Sequence, residues 1–163
     1  MWRNTAGEVM TADVLAVGER ASFTTIARIL TEHHVNAVAV LDHECRVIGV
    51  VSEGDLLCQA EKTSSDEELS PFLETGRQRA AHSRATAVVA RGLMSTPAVT
   101  IAAKAPAAKA AQVLAHGRFR QLPVVDGEGR LVGMITRGDL IQKFVPAGYA
   151  AAGNPPGRSV RRS

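Results

Sequence analysis

Aromatic side chains are scarce in this chain, with one Trp, one Tyr and four Phe among 163 residues. So few rings leave little with which to stack unpaired bases, which argues against a single-strand nucleic-acid platform. Cysteine is scarcer still. Cys45 and Cys58 form no disulfide framework, and two cysteines suit a reduced, cytoplasmic protein. Apolar runs are short: none approaches the roughly 18 residues of a membrane helix. Residues 1–10 also lack the basic start and apolar core of a secretion signal, so no membrane partner is expected. Charge of one sign is nearly balanced, with 19 Lys and Arg against 16 Asp and Glu. His33 and His34 are adjacent and would point about 100° apart on a helix. His43 and Cys45 have no second pair at zinc spacing, so no metal site is expected. Gly-x-Ser-x-Gly, His-Glu-x-x-His and P-loop patterns are all missing, and no nucleophile has an evident partner. The expectation is a protein that is not an enzyme.

What the chain does contain is small aliphatic residues and a repeat. Apolar residues make up 45%, 26 of them alanine, so the core must be built from Val, Ile, Leu and Ala. Sliding the sequence by 84 positions lays Val9-Met10-Thr11 on Leu93-Met94-Ser95 and Val40 to Arg46 on Val124 to Arg130. The same shift lays Gly49 to Leu57 on Gly133 to Ile141 without a gap, giving 12 identities in 49 pairs. Apolar periodicity, turns and acids keep register together, which chance similarity does not explain.

Each copy reads as β-α-β-β-α. Leu15 to Val17 and Val99 to Ile101 are short apolar strands. Ser22 is an N-cap before Phe23, Ile26, Ala27 and Leu30 at helical spacing; Pro106 opens the matching helix, with Ala107, Ala110, Ala111 and Leu114. Ala37 to Leu41 and Leu122 to Val125 are apolar strands ending at an Asp. Asp126-Gly127 marks a turn, and Val47 to Val51 and Leu131 to Ile135 are the returning strands. Second helices run from about Glu53 to Ala60 and from about Arg137 to Phe144. The expected organisation is repeat 1 over 6–60, a partly helical linker over 61–92, repeat 2 over 93–146 and a disordered basic tail over 147–163. Ser52-x-x-Asp55 and Thr136-x-x-Asp139 have the spacing of a capping box, in which the hydroxyl and the acid satisfy each other's backbone amides.

These residues resemble a cystathionine-β-synthase (CBS) domain pair, also called a Bateman module. The resemblance is carried by Met10-Thr11 and Met94-Ser95, by Leu122-Pro123-Val124-Val125-Asp126, and by Gly49…Ser52…Asp55-Leu56 with its copy Gly133…Thr136…Asp139-Leu140. It implies an α+β fold in which two repeats pack through their sheets about a pseudo-two-fold axis, leaving two clefts. It also implies a regulatory role, with an adenosine-containing ligand (AMP, ADP, ATP or S-adenosylmethionine) and no obligatory cofactor. A homodimer and an unidentified effector protein are the implied partners. The alternative is a CBS scaffold that binds no nucleotide.

The resemblance also implies site residues. Asp139 and Asp55 would accept from the ribose hydroxyls, with Thr136 and Ser52 at the phosphate-facing helix starts. Arg118 and Arg120 would meet phosphate, and His34 and Asn36 are their weaker counterparts in the first copy. Adenine would lie against the segments around Val14 and Ala98. Glu53 stands where the second copy has Arg137, so the two clefts are not equivalent, and the Asp139 cleft is expected to be the stronger phosphate site.

Overall fold

The structure, a computed structural model, describes residues 3–65, 88–117 and 119–143. Arg118, most of the 61–92 linker and the basic tail lie outside these residues. The first repeat contains α1 (Ala6–Val9), β1 (Ala16–Gly18), α2 (Phe23–Glu32), β2 (Ala37–Leu41), β3 (Val47–Ser52) and α3 (Glu53–Ser65). The second contains α4 (Ala90–Leu93), β4 (Ile101–Ala102), α5 (Ala107–His116), β5 (Gln121–Val125), β6 (Leu131–Thr136) and α6 (Arg137–Gln142). This is the expected α+β architecture of two repeats, with one addition. A single-turn helix opens each copy, and four residues are too few to leave a helical period in the sequence. Pro106 also sits one place earlier than expected. It is the extended N-cap residue of α5, at φ −60 and ψ 139, and the helix begins at Ala107.

Each repeat builds a three-stranded sheet of the same design. β2 runs parallel to β1 and antiparallel to β3, and β5 stands likewise between β4 and β6. The central strands are apolar almost throughout because both their faces are covered. The sheets differ at one residue. Ala39 in β2 pairs with Ala16, but its counterpart Pro123 pairs only with Met134 on the antiparallel side. Proline offers no N–H to a parallel neighbour. The β4–β5 ladder therefore stops at Val124, and β4 is two residues long where β1 has three.

The opening helices cross over between the repeats. Ala6 and Val9 of α1 are buried with Ile101, Leu114, Leu122 and Ile135, in the core of the second repeat. Ala90 and Leu93 of α4 are buried with Ile26, Leu30, Val38 and Val51, in the core of the first. Backbone bonds hold each exchange: Ala6 N–H donates to Ala105 O at 2.7 Å, and Ala90 N–H to Ala21 O at 2.7 Å. Beyond each helix the chain adds to the other sheet, as Thr11 pairs with Met134 and Ser95 with Val50. Neither sheet thus has a core made from its own repeat alone. The hairpin turns meet as well, through Val47 N–H to Gly129 O at 3.1 Å and Leu131 N–H to Cys45 O at 3.2 Å. Cys45 is exposed, at φ +62, where its counterpart Gly129 has φ +82. No polar or charged side chain is fully buried among the described residues.

Candidate functional site

The crossover brings the start of α3 against the segment that follows Met94. Ser95 exchanges backbone bonds with Val50, which lays Thr96 to Val99 beside Ser52 and Asp55. The beginnings of β2 and β5 complete the wall with Asn36 and Ala37 from one repeat and Phe119, Arg120, Gln121 and Pro123 from the other. Together they enclose a cleft of about 650 Å³. That volume lies in the range of small-molecule sites, roughly 300–1,000 Å³.

The polar groups at this cleft are set by local structure. Asp55 Oδ2 accepts from Ser52 N–H at 2.7 Å and from the Ser52 hydroxyl at 2.8 Å, and Asp55 N–H lies 3.3 Å from Ser52 Oγ. This is a reciprocal cap, and it fixes the carboxylate in place. Among the described residues Asp55 Oδ1 has no hydrogen-bond donor, so one oxygen is held by the fold and the other is available. The capping and ligand-binding readings of Ser52 and Asp55 are thereby compatible. Glu53 N–H donates to Asn36 O at 3.0 Å, tying the helix start to the entry of β2. Gln121 adds a different feature: its Nε2 is buried and has no hydrogen-bond partner among the described residues.

Five of the ten expected site residues therefore share one cleft: Asn36, Ser52, Asp55, Ala98 and Arg120. Arg120 lines the wall of the Asp55 cleft, although the sequence reading grouped it with Asp139. Thr136 and Asp139 form the matching cap of α6, with Oδ2 held by Thr136 N–H at 2.7 Å and by the Thr136 hydroxyl at 2.8 Å. The other oxygen of Asp139 has the Thr11 hydroxyl 3.5 Å away. Val14 is half-buried three residues beyond Thr11, in the segment that adds to β6. His34 is exposed in the left-handed conformation at φ +52, in the turn that ends α2. Neither Val14 nor His34 lines the Asp55 cleft. Arg118 lies outside the described residues. The sequence reading missed Phe119, Gln121 and Thr96. Phe119 carried a usable signal, because it is one of only four phenylalanines and stands between two arginines. Among the described residues no group of three or more His, Cys, Asp or Glu could hold a metal ion, and no helix is long and apolar enough to cross a membrane.

Comparison with known proteins gives the same architecture. The model of the CBS domain family matches residues 6–60 and again residues 89–146. The chloroplastic CBS domain-containing protein CBSX1 of Arabidopsis thaliana is 28% identical over 148 residues, covering 85% of this chain. The match takes in 63% of CBSX1, so the chain spans less than two thirds of that relative's length. Among solved structures, CBSX2 of the same plant in complex with AMP superposes with a TM-score of 0.67 at 27% identity, over 86% of this chain and 95% of that one. The CBS domain pair of protein MJ0100, solved with 5′-methylthioadenosine and S-adenosyl-L-methionine, shares the fold at TM-score 0.65 and 17% identity, over 86% of this chain and 95% of that one.

Proposed function

The chain belongs to the CBS domain family, and on that premise we propose that it is a regulatory module holding an adenosine-containing ligand in the cleft at Asp55. The observation that carries this reading is the convergence of Ser52, Asp55, Ala98 and Arg120, from both repeats, on one cleft of about 650 Å³. The available oxygen of Asp55 accepts from the ribose hydroxyls, Arg120 takes a phosphate, and Pro97 to Val99 with Phe119 give the adenine an apolar wall. AMP bound to CBSX2, a structure 27% identical to this chain, supports the ligand class. The cap of Thr136 and Asp139, with Val14 in the segment that adds to β6, is the second and pseudo-symmetric candidate. The sequence reading gave the Asp139 side priority. The cleft geometry at Asp55, and the Thr11 hydroxyl near Asp139, favour the Asp55 side for the first binding event.

Signalling follows from the crossover. A ligand touching both repeats favours the packing in which they meet, and its effect on a partner equals its differential affinity for the two packings. A homodimer is part of this proposal. Leu57 and Ile141 occupy equivalent places on α3 and α6 and are 70% and 63% exposed, a pair of apolar positions suited to a two-fold contact. The test is a calorimetric panel of AMP, ATP, S-adenosylmethionine, NADH and cyclic di-AMP against the full chain. Saturable binding of at least one is the expected result. Binding of none, with the fold intact, would overturn the reading and leave the scaffold alternative.

A further inference from the structure

We infer that the Asp55 cleft selects adenosine ligands of low negative charge, and that Glu53 is the residue that excludes polyphosphates. This inference rests on the functional reading above and adds the ligand's charge to it. The charged residues among the described lining are two carboxylates, Glu53 and Asp55, against one guanidinium, Arg120. The remaining polar liners, Gln121 among them, are neutral and add no positive charge. Arg137 donates to the Phe119 carbonyl at 3.3 Å and does not line the cleft.

The start of α3 does little to offset this balance. Helix-start amides commonly bind phosphate. Here the Glu53 amide is committed to Asn36 O at 3.0 Å and the Asp55 amide faces Ser52 Oγ at 3.3 Å, which leaves the amide of the lining residue Gly54 as a single neutral donor for phosphate. The chain carries its own contrast, because the position of Glu53 is held by Arg137 in the second repeat, over the same cap. With one cation among its described lining residues, the cleft can neutralise a single phosphate. Each further phosphate adds charge beside the Glu53 carboxylate, and replacing one such carboxylate is worth about threefold to tenfold in affinity at low salt.

The deciding experiment is metal-free calorimetry at low ionic strength with AMP, ADP and ATP on the full-length wild type, Glu53→Gln and Glu53→Arg. The wild type should bind AMP about tenfold or more tighter than ATP, with ADP between. Glu53→Gln should narrow that ratio by about threefold, and Glu53→Arg by more, chiefly by strengthening ATP. Added salt should draw the wild-type ratio toward the Glu53→Gln value. Equal wild-type affinities for AMP and ATP, or a ratio unmoved in Glu53→Arg, would overturn the charge selection while leaving nucleotide binding intact. Binding of none of the three ligands would overturn both.

Discussion

At Gly133 the missing side chain is what lets the two repeats touch. A β-carbon there would lie 2.8 Å from Met10 Cγ and 2.9 Å from the Thr11 carbonyl oxygen, too close for either to remain in place. Gly49 has the same relation to Met94, whose Cγ would be 2.7 Å away. Each methionine of the Met-Thr/Ser motif thus rests on the glycine of the other repeat's closing motif. Gly133→Ala should therefore destabilise the protein by about 1–3 kcal/mol through overpacking. Gly127→Ala, with nothing within 4 Å of the new carbon, should change stability by less than about 0.5 kcal/mol. Thermal denaturation of the two variants beside the wild type measures both, and equal melting temperatures would contradict the contact. These motif residues were legible as residues but not as partners, because a shift of the sequence onto itself aligns Met10 with Met94 and is silent about what either touches. The same holds for the site. Ser52, Asp55 and Arg120 were legible one by one, while their meeting in one cleft depends on an exchange that leaves no local pattern.

Among the elements, the β2–β3 hairpin shows how a turn becomes sensitive to acid. Asp42 closes the turn by accepting from Glu44 N–H at 2.8 Å and Arg46 N–H at 3.0 Å, and Asp126 repeats this with Glu128 and Arg130 at 2.9 Å each. The Arg46 amide holds the Asp42 carboxyl below its ordinary 3.8, against a smaller opposing effect of burial. In α1 the Thr5 amide, followed by its hydroxyl, holds Glu8 below its ordinary 4.5. Both groups bind protons more weakly folded than unfolded. Their contribution is complete above the unfolded values and is lost as pH falls below about 4 through the depressed folded values. Denaturant midpoints should be level from neutral pH to about pH 5 and then decline, and Asp42→Asn should flatten the decline; an unchanged slope in that variant would contradict the assignment. Element order was largely legible, because Ala37 to Leu41 and Val47 to Val51 carry nearly continuous apolar runs around an Asp turn, whereas the register, with its shift between Val40 and Leu41, was not read. α1 and α4 were not, since one turn has no period to detect. The shorter β4 was legible in principle, for Pro123 lacks the N–H that a longer parallel ladder would need.

For the molecule as a whole, the 84-residue repeat was the most informative feature of the sequence, and the pseudo-two-fold architecture follows from it. What it concealed was that the repeats are interleaved, each finishing the other's core and each contributing a wall to the cleft. The exposed pair Leu57 and Ile141 belongs to this scale too. In the proposed homodimer Ile141→Asp places a charge on the two-fold contact, and light scattering should then report a monomer where the wild type is a dimer. A monomeric wild type would contradict the assembly. The central claim is the site itself, and an AMP titration of Asp55→Ala beside Asp139→Ala tests it most directly, with circular dichroism establishing that both variants fold. Loss of the charge-assisted bonds to ribose should weaken AMP by at least about tenfold in Asp55→Ala and leave the first binding event nearly unchanged in Asp139→Ala. Full AMP affinity in a folded Asp55→Ala variant would contradict the account.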